Sequence, residues 1–366
     1  MRAASGAHSR YHCRDPDGRY LDAMELAPSP SDPGGLRGLL DALWRIHTKD
    51  RAAVLGVIVG TEGSTYRKPG ALVLLDETGL RHGVISGGCL EPALEEAARA
   101  VHASGVAAGV EFDTSSDEDL LFGTGIGCRG RVRMLLLPLP PHAPLARALF
   151  AVLENGTALT LSLVSSGKEL GAGSAMFAVE PATFAWDRHG YATTAAAAAS
   201  SQPLVIAAPP QLLLLGAGPE TAPLATFAHR LGWFVNVVEH RGRWSAFART
   251  ARIDRLIELA PDAAARTLAE DRCDAVVVMS HNYSLDLAWL RYCAERDIGY
   301  VGLLGPAARR DALLGELGEA LAQRLRGRLH APVGLDLGGH GGEAVALAIT
   351  AELQQHFSGR RRVSDD

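Results

Sequence analysis

Hydrophobic and polar positions follow two different patterns along the chain, and the change falls near Gln211. Up to Pro140, short apolar runs are separated by turn-rich segments, and two stretches carry apolar residues at helical spacing. This pattern predicts a compact α+β unit that ends near Pro140. Its predicted helices are 35–47 and 91–103, and its predicted strands are 52–60, 71–76, 109–114 and 131–139, with another strand after a hairpin turn at 76–79. A further helix near 145–153 and a strand at 157–165 are predicted beyond this unit.

From Gln211 onward, runs that are apolar throughout alternate with helical segments. Fully apolar strands indicate a parallel sheet covered on both faces, and alternation with helices indicates a doubly wound domain. The expected fold class is therefore α/β, with a C-terminal Rossmann-type doubly wound parallel sheet and a smaller N-terminal α+β domain. The last two predicted helices are 306–325 and 342–357, and the second could pack on either domain or at a dimer interface.

The same patterns divide the chain into five parts. Residues 1–35 lack periodicity and are rich in Pro, Ser, Gly and Asp, which predicts a disordered tail. The other predicted parts are an N-terminal domain at 36–140, a middle segment with an Ala-rich linker at 141–210, a Rossmann-type domain at 211–336, and a C-terminal helix and tail at 337–366.

Composition and charge narrow the class of protein. The 36 basic and 41 acidic residues give a formal net charge of −5, which disfavours a nucleic-acid binder. The sequence shows neither the apolar core of a signal peptide nor a run of about 20 apolar residues, so we expect a soluble cytoplasmic protein without a membrane span. Five cysteines without C-x-x-C spacing predict reduced thiols, no disulfide framework and no metal site.

A glycine-rich turn follows the first strand of the C-terminal pattern, in QLLLLGAGPETAPLATFA. Gly216 would permit a tight turn, and Gly218 would let a pyrophosphate approach the backbone at a helix N-terminus. Glu239 ends the next strand, where an acid can bond a ribose 2′-hydroxyl, and Arg241 beyond it would suit a 2′-phosphate. Thr221 replaces the third glycine. The turn predicts NAD(P) or another nucleotide as a candidate ligand, or else a Rossmann scaffold that serves only for docking.

The segment SHNYSLD (280–286) follows the fourth predicted strand, at the sheet edge where ligands bind in such folds. His281 and Asp286 could contact a ligand or act as an acid–base pair, with His281 as the candidate catalytic residue. The alternative is structural. In that case Asp286, together with Ser284, caps the next helix, and His281 bonds a nearby backbone group.

Cys89 lies in the turn GVISGGCLEPALEEA, after Gly87 and Gly88 and just before a predicted helix. The positive end of that helix would lower the pKa of the thiol, although Glu91 and Glu95 oppose the effect. The glycine setting favours a functional role in catalysis or binding over that of a small buried apolar residue.

Cys128 lies in a second glycine-rich turn, GTGIGCRGR. Gly127 and its neighbouring glycines would let a bulky ligand approach the backbone, and Arg129 and Arg131 could favour a thiolate or an anion. Both turns flank strands of the same predicted domain, so their thiols could meet in one cleft. The remaining cysteines, Cys13, Cys273 and Cys293, are predicted to be small buried residues.

The loop TEGSTYRKPGA, between the first two predicted strands, carries Arg67 and Lys68. Such a loop can hold a phosphate or another anion, arginine through its fork and lysine as a point charge. The alternative is a solvated basic loop that turns at Pro69 and Gly70.

Seven segments resemble one known family and occur in that family's order. The resemblance to the xanthine dehydrogenase accessory factors, the XdhC/CoxI family, covers about 40–140 and 210–357, and it departs from the common pattern at Thr221 and near 338–342. The segments are GSTYRKPGALVLL, GVISGGCLEPALEEA, GTGIGCRGRVRMLLLPL, LLLLGAGPETAPLATFAHRLGWFVNVVEHR, AVVVMSHNYSLDLAWL, YVGLLGPAARRDALL and PVGLDLGGHGGEAVALAITAEL.

This resemblance implies a chaperone or insertase rather than a turnover enzyme. It would bind the molybdenum cofactor (molybdopterin) transiently, assist its sulfuration and deliver it to a molybdenum hydroxylase apoenzyme such as xanthine dehydrogenase. Implied partners are that apoenzyme, a cysteine desulfurase and a second copy in a homodimer, with no nucleic acid or membrane. Cys89 and Cys128 correspond to the family's glycine-flanked cysteines.

The residues agree with that implication, and other functions stay open. Soft thiolates with Arg67, Lys68 and backbone N–H groups suit an anionic group that bonds to sulfur. The alternatives are an NAD(P)-dependent oxidoreductase with His281 as its acid–base group, a cysteine-dependent sulfur transferase, and a nucleotide-sensing module without catalysis.

Overall fold

The computed structural model describes residues 32–113, 130–164, 174–179, 182–187, 190–193, 203–269 and 271–363. The chain divides into two units, Met1–Ala208 and Pro209–Asp366. Most of the predicted tail and the Ala-rich stretch 194–202 lie outside the described residues. Among the described helices, none is both long enough and apolar enough to cross a bilayer.

The first unit begins with an antiparallel sheet in the strand order β3-β2-β1-β5-β4. Its apolar side chains pack against helix α2, where Leu94, Ala98 and Val101 form one buried face. That helix ends at Gly105, which has a left-handed conformation (φ +65°). The bounds are α1 Gly35–His47, β1 Ala53–Gly63, β2 Leu72–Asp76, β3 Arg81–His82, α2 Glu91–Ser104, β4 Ala108–Asp113, β5 Gly130–Leu139 and α3 Pro144–Asn155.

A second antiparallel sheet follows in the same unit, in the order β10-β6-β7-β8-β9. It occupies the region that the sequence predicts as a middle segment. Its strands are β6 Leu159–Val164, β7 Ser174–Val179, β8 Ala182–Asp187, β9 Gly190–Thr193 and β10 Pro203–Ile206.

The second unit contains a six-stranded parallel sheet in the order β13-β12-β11-β14-β15-β16. Counted within the unit, this is the order 3-2-1-4-5-6 of a Rossmann fold, and its topological switch point falls between β11 and β14. The predicted α/β fold class is confirmed. The strands are β11 Gln211–Leu215, β12 Phe234–Val238, β13 Arg255–Ile257, β14 Ala275–Val278, β15 Val301–Leu303 and β16 Leu329–His330.

Helices cover both faces of this sheet, and the last of them belongs to the same unit. Ile349 and Leu353 enter the core that also contains Trp233, and the ring of Trp233 meets Phe357 edge-on at 5.0 Å. The C-terminal helix therefore completes the Rossmann-type unit. The bounds are α4 Thr221–Arg230, α5 Gly242–Ala248, α6 Pro261–Thr267, α7 Tyr283–Ala294, α8 Ala307–Leu317, α9 Glu319–Leu325 and α10 Gly342–Val363.

Candidate functional site

Two described loops of the first unit, the one before β2 and the one after β3, lie at the end of the sheet where β1 finishes. Strand β2 begins there, because Leu72 pairs with Val57, and Gly83 lies beside Leu72. Strand β5 also begins there, since Gly130 pairs with Gly63. The loop before β2, the loop after β3 and the first residue of β5 therefore lie at the same end of the sheet.

The loop after β3 carries Cys89 and is fixed by a buried pair. The Ser86 hydroxyl accepts hydrogen bonds from the N–H groups of Gly88 (3.1 Å) and Leu90 (3.2 Å), and it donates to the carboxylate of Glu91. The Ser86 N–H donates to the same carboxylate at 3.1 Å, and both side chains are buried. The turn is thus held from inside by two residues next to the thiol.

Glu91 stays ionised in this pair. Burial alone would raise the pKa of its carboxyl, but the bonds from the Ser86 hydroxyl and backbone N–H groups together hold that pKa below its ordinary value. The Glu91 carboxylate therefore keeps its negative charge and is hydrogen-bonded to Ser86 inside the turn.

The space beside Cys89 is open. Cys89 is a free, partly exposed thiol. Among the residues that the structure describes, no atom would lie within 4 Å of a Cβ added at Gly87 or at Gly88. Gly88 also has a φ of +114°, which an L side chain rarely adopts. A ligand can therefore approach the backbone at these glycines next to the sulfur.

Arg67 and Lys68 lie in the loop before β2, at this same end of the sheet. Both side chains are exposed, and the Thr65 hydroxyl donates to the Arg67 carbonyl at 3.0 Å. Arg131 at the start of β5 differs, because its guanidinium lies near three carboxylates, which raise its pKa. These belong to Glu62 (3.6 Å), Glu111 (3.2 Å) and Asp113 (2.7 Å).

The other predicted residues of this region, Gly127, Cys128 and Arg129, lie outside the described residues. Gly130 follows Cys128 by two positions, and it lies against the carbonyl of Ser64 at the start of the loop that carries Arg67. A shared pocket for Cys89 and Cys128 stays a prediction. Among the residues that the structure describes, no group of His, Cys, Asp and Glu side chains could hold a metal ion.

The glycine turn of the second unit lies at the switch point, after β11. Gly216 has a φ of +102°, and a Cβ there would lie 2.3 Å from the Cα of Ser280, which follows β14. The Gly218 N–H donates to the Thr221 hydroxyl at 2.9 Å, and Thr221 is fully buried. Thr221 therefore closes the turn with its own side chain at the position of the third glycine.

Glu239, expected to meet a ribose, is bonded within the protein. Its carboxylate accepts the Ala217 N–H at 3.0 Å and both the N–H and the guanidinium of Arg241, and the residue is only 2% exposed. Burial would raise the pKa of Glu239, but these bonds together lower it. The acid orients Arg241 and the turn.

His281 lies above Gly218 and pairs with Glu220. The Nε2 atom of His281 is 3.1 Å from a carboxylate oxygen of Glu220, and His281 has a φ of +54°, which is uncommon for a residue other than glycine. The bond from Glu220 raises the pKa of His281 despite partial burial. The alternative that His281 bonds a backbone group is therefore wrong.

Asp286 does not cap the helix that follows β14. The side chain of Asn282 does so, since it accepts the Leu285 N–H at 3.0 Å. Asp286 is fully buried, accepts from the N–H and hydroxyl of Ser280, and forms a two-bond pair with Arg309. The structural interpretation of Asp286 as a cap is wrong, because its carboxylate binds Ser280 and Arg309 while Asn282 caps the helix.

The His281–Glu220 pair predicts a pH-dependent contribution to stability. The pKa of His281 is raised, so its contribution is complete below about pH 6.5 and is lost as pH rises through the folded-state value. The pKa of Glu220 is lowered by His281 against the effect of burial, so its contribution is complete above about pH 4.5 and is lost at lower pH. The pair should therefore stabilise the unit most between these values.

Urea unfolding of wild type and His281→Gln at pH 5.5 and pH 9 measures this contribution. We expect His281→Gln to cost about 0.5 kcal/mol at pH 5.5, a small value because His281 is partly exposed, and less at pH 9. A cost that is equal at both pH values would show that the pair does not form in solution.

The two units together define a class of protein. A small α+β domain presents a cysteine in an open glycine turn, and a Rossmann-type domain carries paired charged side chains at its switch point. The chain belongs to the XdhC and CoxI family. The family model described as "XdhC and CoxI family" matches residues 46–113, and the model described as "XdhC Rossmann domain" matches residues 212–353.

Two similar proteins span nearly the whole chain. A protein of Bacillus subtilis (strain 168), named as a probable subunit of xanthine dehydrogenase, is 29% identical over 342 residues, which cover 90% of this chain and 99% of that protein. A crystal structure titled as a xanthine dehydrogenase from Bacillus halodurans has a TM-score of 0.72 and 28% identity, and it covers 88% of this chain and 96% of that one.

Sequence reasoning missed several residues that form these sites. Ser86 and Glu220 were visible as polar residues inside the two glycine turns, and Arg309 follows the fifth strand of the parallel sheet. Arg309 could have been predicted as a site residue from its position after the carboxyl end of a parallel strand, where ligands bind in such folds.

Proposed function

We propose that this chain binds the molybdenum cofactor at the Cys89 turn, assists its sulfuration, and aids its insertion into a molybdenum hydroxylase such as xanthine dehydrogenase. The observation that carries the proposal is the turn itself. It combines a partly exposed thiol, two glycines without a described neighbour within 4 Å of an added Cβ, and a buried Ser86–Glu91 pair that holds the loop.

The residues at this end of the sheet fit such a cofactor. A thiolate is a soft ligand that suits a metal centre bonded to sulfur, and Arg67 and Lys68 can bind the phosphate of an anionic pterin. When bound, the cofactor supplies the molybdenum centre that the client enzyme needs. Cys89 would bind near the metal, and the two basic residues would orient the phosphate.

Cys128 is proposed as a second thiol of the same site. The support is the position of Gly130, two residues further on, at the sheet end that also carries the Cys89 loop. Arg129 would add a positive charge beside it. On this proposal, Gly127 and Gly87 leave room for the ligand on the two sides.

Family membership and the names of the two similar proteins support the choice of client. Both names refer to xanthine dehydrogenase. We therefore propose a molybdenum hydroxylase apoenzyme as the partner, a cysteine desulfurase as the source of sulfur, and action as a cytoplasmic homodimer.

Activation of the client tests the proposal. The hydroxylase would be produced in cells that lack this chain and are supplied with wild type, Cys89→Ala or Cys273→Ala. Burial raises the pKa of Cys273 to about 12, so its thiol stays protonated and serves as the control. We expect Cys89→Ala to reduce client activity about tenfold or more, by loss of the metal-binding thiolate, and Cys273→Ala to leave it unchanged.

Equal client activity with Cys89→Ala and wild type would refute the proposed role of the turn. A persulfide on Cys89 in a protein that retains no molybdopterin would instead favour the cysteine-dependent sulfur transferase.

A further inference from the structure

The glycine turn after β11 does not fit the dinucleotide that its sequence suggests. In a dinucleotide-binding turn, the second glycine lets the pyrophosphate approach the backbone, and free N–H groups bind it. Here a Cβ at Gly218 would lie 2.4 Å from Nε2 of His281 and 2.8 Å from a carboxylate oxygen of Glu220. The space that a pyrophosphate needs is filled by this pair.

Two donors of the turn are also in use. The Ala217 N–H is bonded to Glu239, and the Gly218 N–H is bonded to the Thr221 hydroxyl. The Glu220 carboxylate lies beside Gly218, hydrogen-bonded to His281, where a pyrophosphate would approach the backbone. A glycine at position 218 thus leaves room for the His281–Glu220 pair.

The same edge of the sheet presents three basic side chains, each held by an acid. Glu239 binds Arg241, Asp286 binds Arg309, and Glu220 binds His281. The first two carboxylates are almost fully buried, whereas both arginines remain about one quarter exposed. Each guanidinium uses its Nε and Nη2 atoms for its carboxylate, so the Nη1 groups lie outside these bonds.

The three pairs lie around the glycine turn. Glu239 also binds the Ala217 N–H, and Asp286 also binds Ser280, against which Gly216 packs. The third pair, His281 and Glu220, lies beside Gly218. Arginines fixed by buried carboxylates lose little side-chain freedom when they bind a ligand, which favours a group that takes hydrogen bonds from several directions.

We propose that this edge of the Rossmann-type sheet is a site for a compact phosphate group, bound by Arg241, Arg309 and His281, and that the glycine turn is closed to dinucleotides. The ligand is a free phosphate or a phosphate monoester. It approaches the guanidinium Nη1 groups and the imidazole from solvent and makes no use of the N–H groups of Ala217 and Gly218. The site consists of residues of the second unit and does not rest on the function proposed for the Cys89 turn.

Calorimetric titration of the full chain tests this site with three probes: inorganic phosphate, glycerol phosphate and NAD⁺. We expect phosphate or the monoester to bind at least about tenfold more tightly than NAD⁺, which contains a pyrophosphate but no phosphate monoester. Stronger binding of the monoester than of phosphate would assign a phosphorylated small molecule as the ligand, and the reverse order would assign free phosphate. Both orders support the site.

Lysine variants identify the residues that bind. Arg241→Lys and Arg309→Lys keep the charge opposite each buried acid but lose the fork, and each should weaken phosphate binding about tenfold. Arg255→Lys, whose partner Asp271 is exposed, is the control and should bind like wild type. The comparison of phosphate with NAD⁺ on wild type needs no variant and is independent of any folding defect.

Tighter binding of NAD⁺ than of either phosphate probe would overturn the proposal. Phosphate binding that Arg241→Lys and Arg309→Lys leave unchanged, or no binding of phosphate and monoester at millimolar concentration, would also overturn it.

Discussion

Replacing Gly216 with alanine is expected to destabilise the Rossmann-type unit by about 4 kcal/mol. The positive φ of +102° costs an L residue about 1–2 kcal/mol, and overpacking adds about 1–3 kcal/mol. The overlap cannot be relieved by a side-chain rotation, because the new Cβ would lie 2.3 Å from the Cα of Ser280 and 2.6 Å from its backbone nitrogen.

The control for this variant is Gly315→Ala, in the exposed part of α8. A Cβ at Gly315 meets nothing within 4 Å, so alanine should stabilise the helix by about 0.5–1 kcal/mol. Urea unfolding of both variants gives the two free energies. A decrease of less than about 1 kcal/mol in the free energy of unfolding of Gly216→Ala would contradict the close contact between Gly216, after β11, and Ser280, after β14.

Replacing Asp286 with alanine should cost about 3 kcal/mol. The change leaves Arg309 without its carboxylate and removes the acceptor for the N–H and hydroxyl of Ser280. Removal of one partner of a buried ion pair typically costs 3–5 kcal/mol, and the lower end applies because Arg309 can still reach water.

Asp271→Ala is the matched control, because Asp271 also pairs with an arginine, Arg255, but both side chains are exposed. It should cost less than about 1 kcal/mol. Hydrogen exchange of the β14 amides, followed by mass spectrometry, would place the effect within this unit. Equal costs for the two aspartates would contradict the assignment of Asp286 as a buried anchor.

The fold was readable from the sequence where it depends on periodicity. Apolar runs alternating with helices predicted the parallel sheet, and the structure confirms it. Strand β16 was not predicted, because it has two residues and no apolar run. The predicted helix over 306–325 is two helices, because Gly318, with a φ of +87°, interrupts it.

The sites were readable only in part. Glycine turns identified the positions of Cys89 and Gly216, because turn chemistry is local in sequence. The partners of the charged residues were not, since Arg309 lies 23 residues beyond Asp286 and His281 lies 61 residues beyond Glu220. Such pairs arise from the approach of strand ends in the folded sheet, which no spacing in the sequence encodes.

The central claim is that the Cys89 turn binds the molybdenum cofactor. The most direct test is the amount of molybdopterin per chain in purified protein, for wild type, Cys89→Ala and Gly87→Ala, with Cys273→Ala and Gly315→Ala as controls. Gly87→Ala is informative because its new methyl group touches no atom of the described residues and fills space beside the thiol. We predict retention in wild type and both controls, and loss in both turn variants. Equal molybdopterin in all five proteins would contradict the claim.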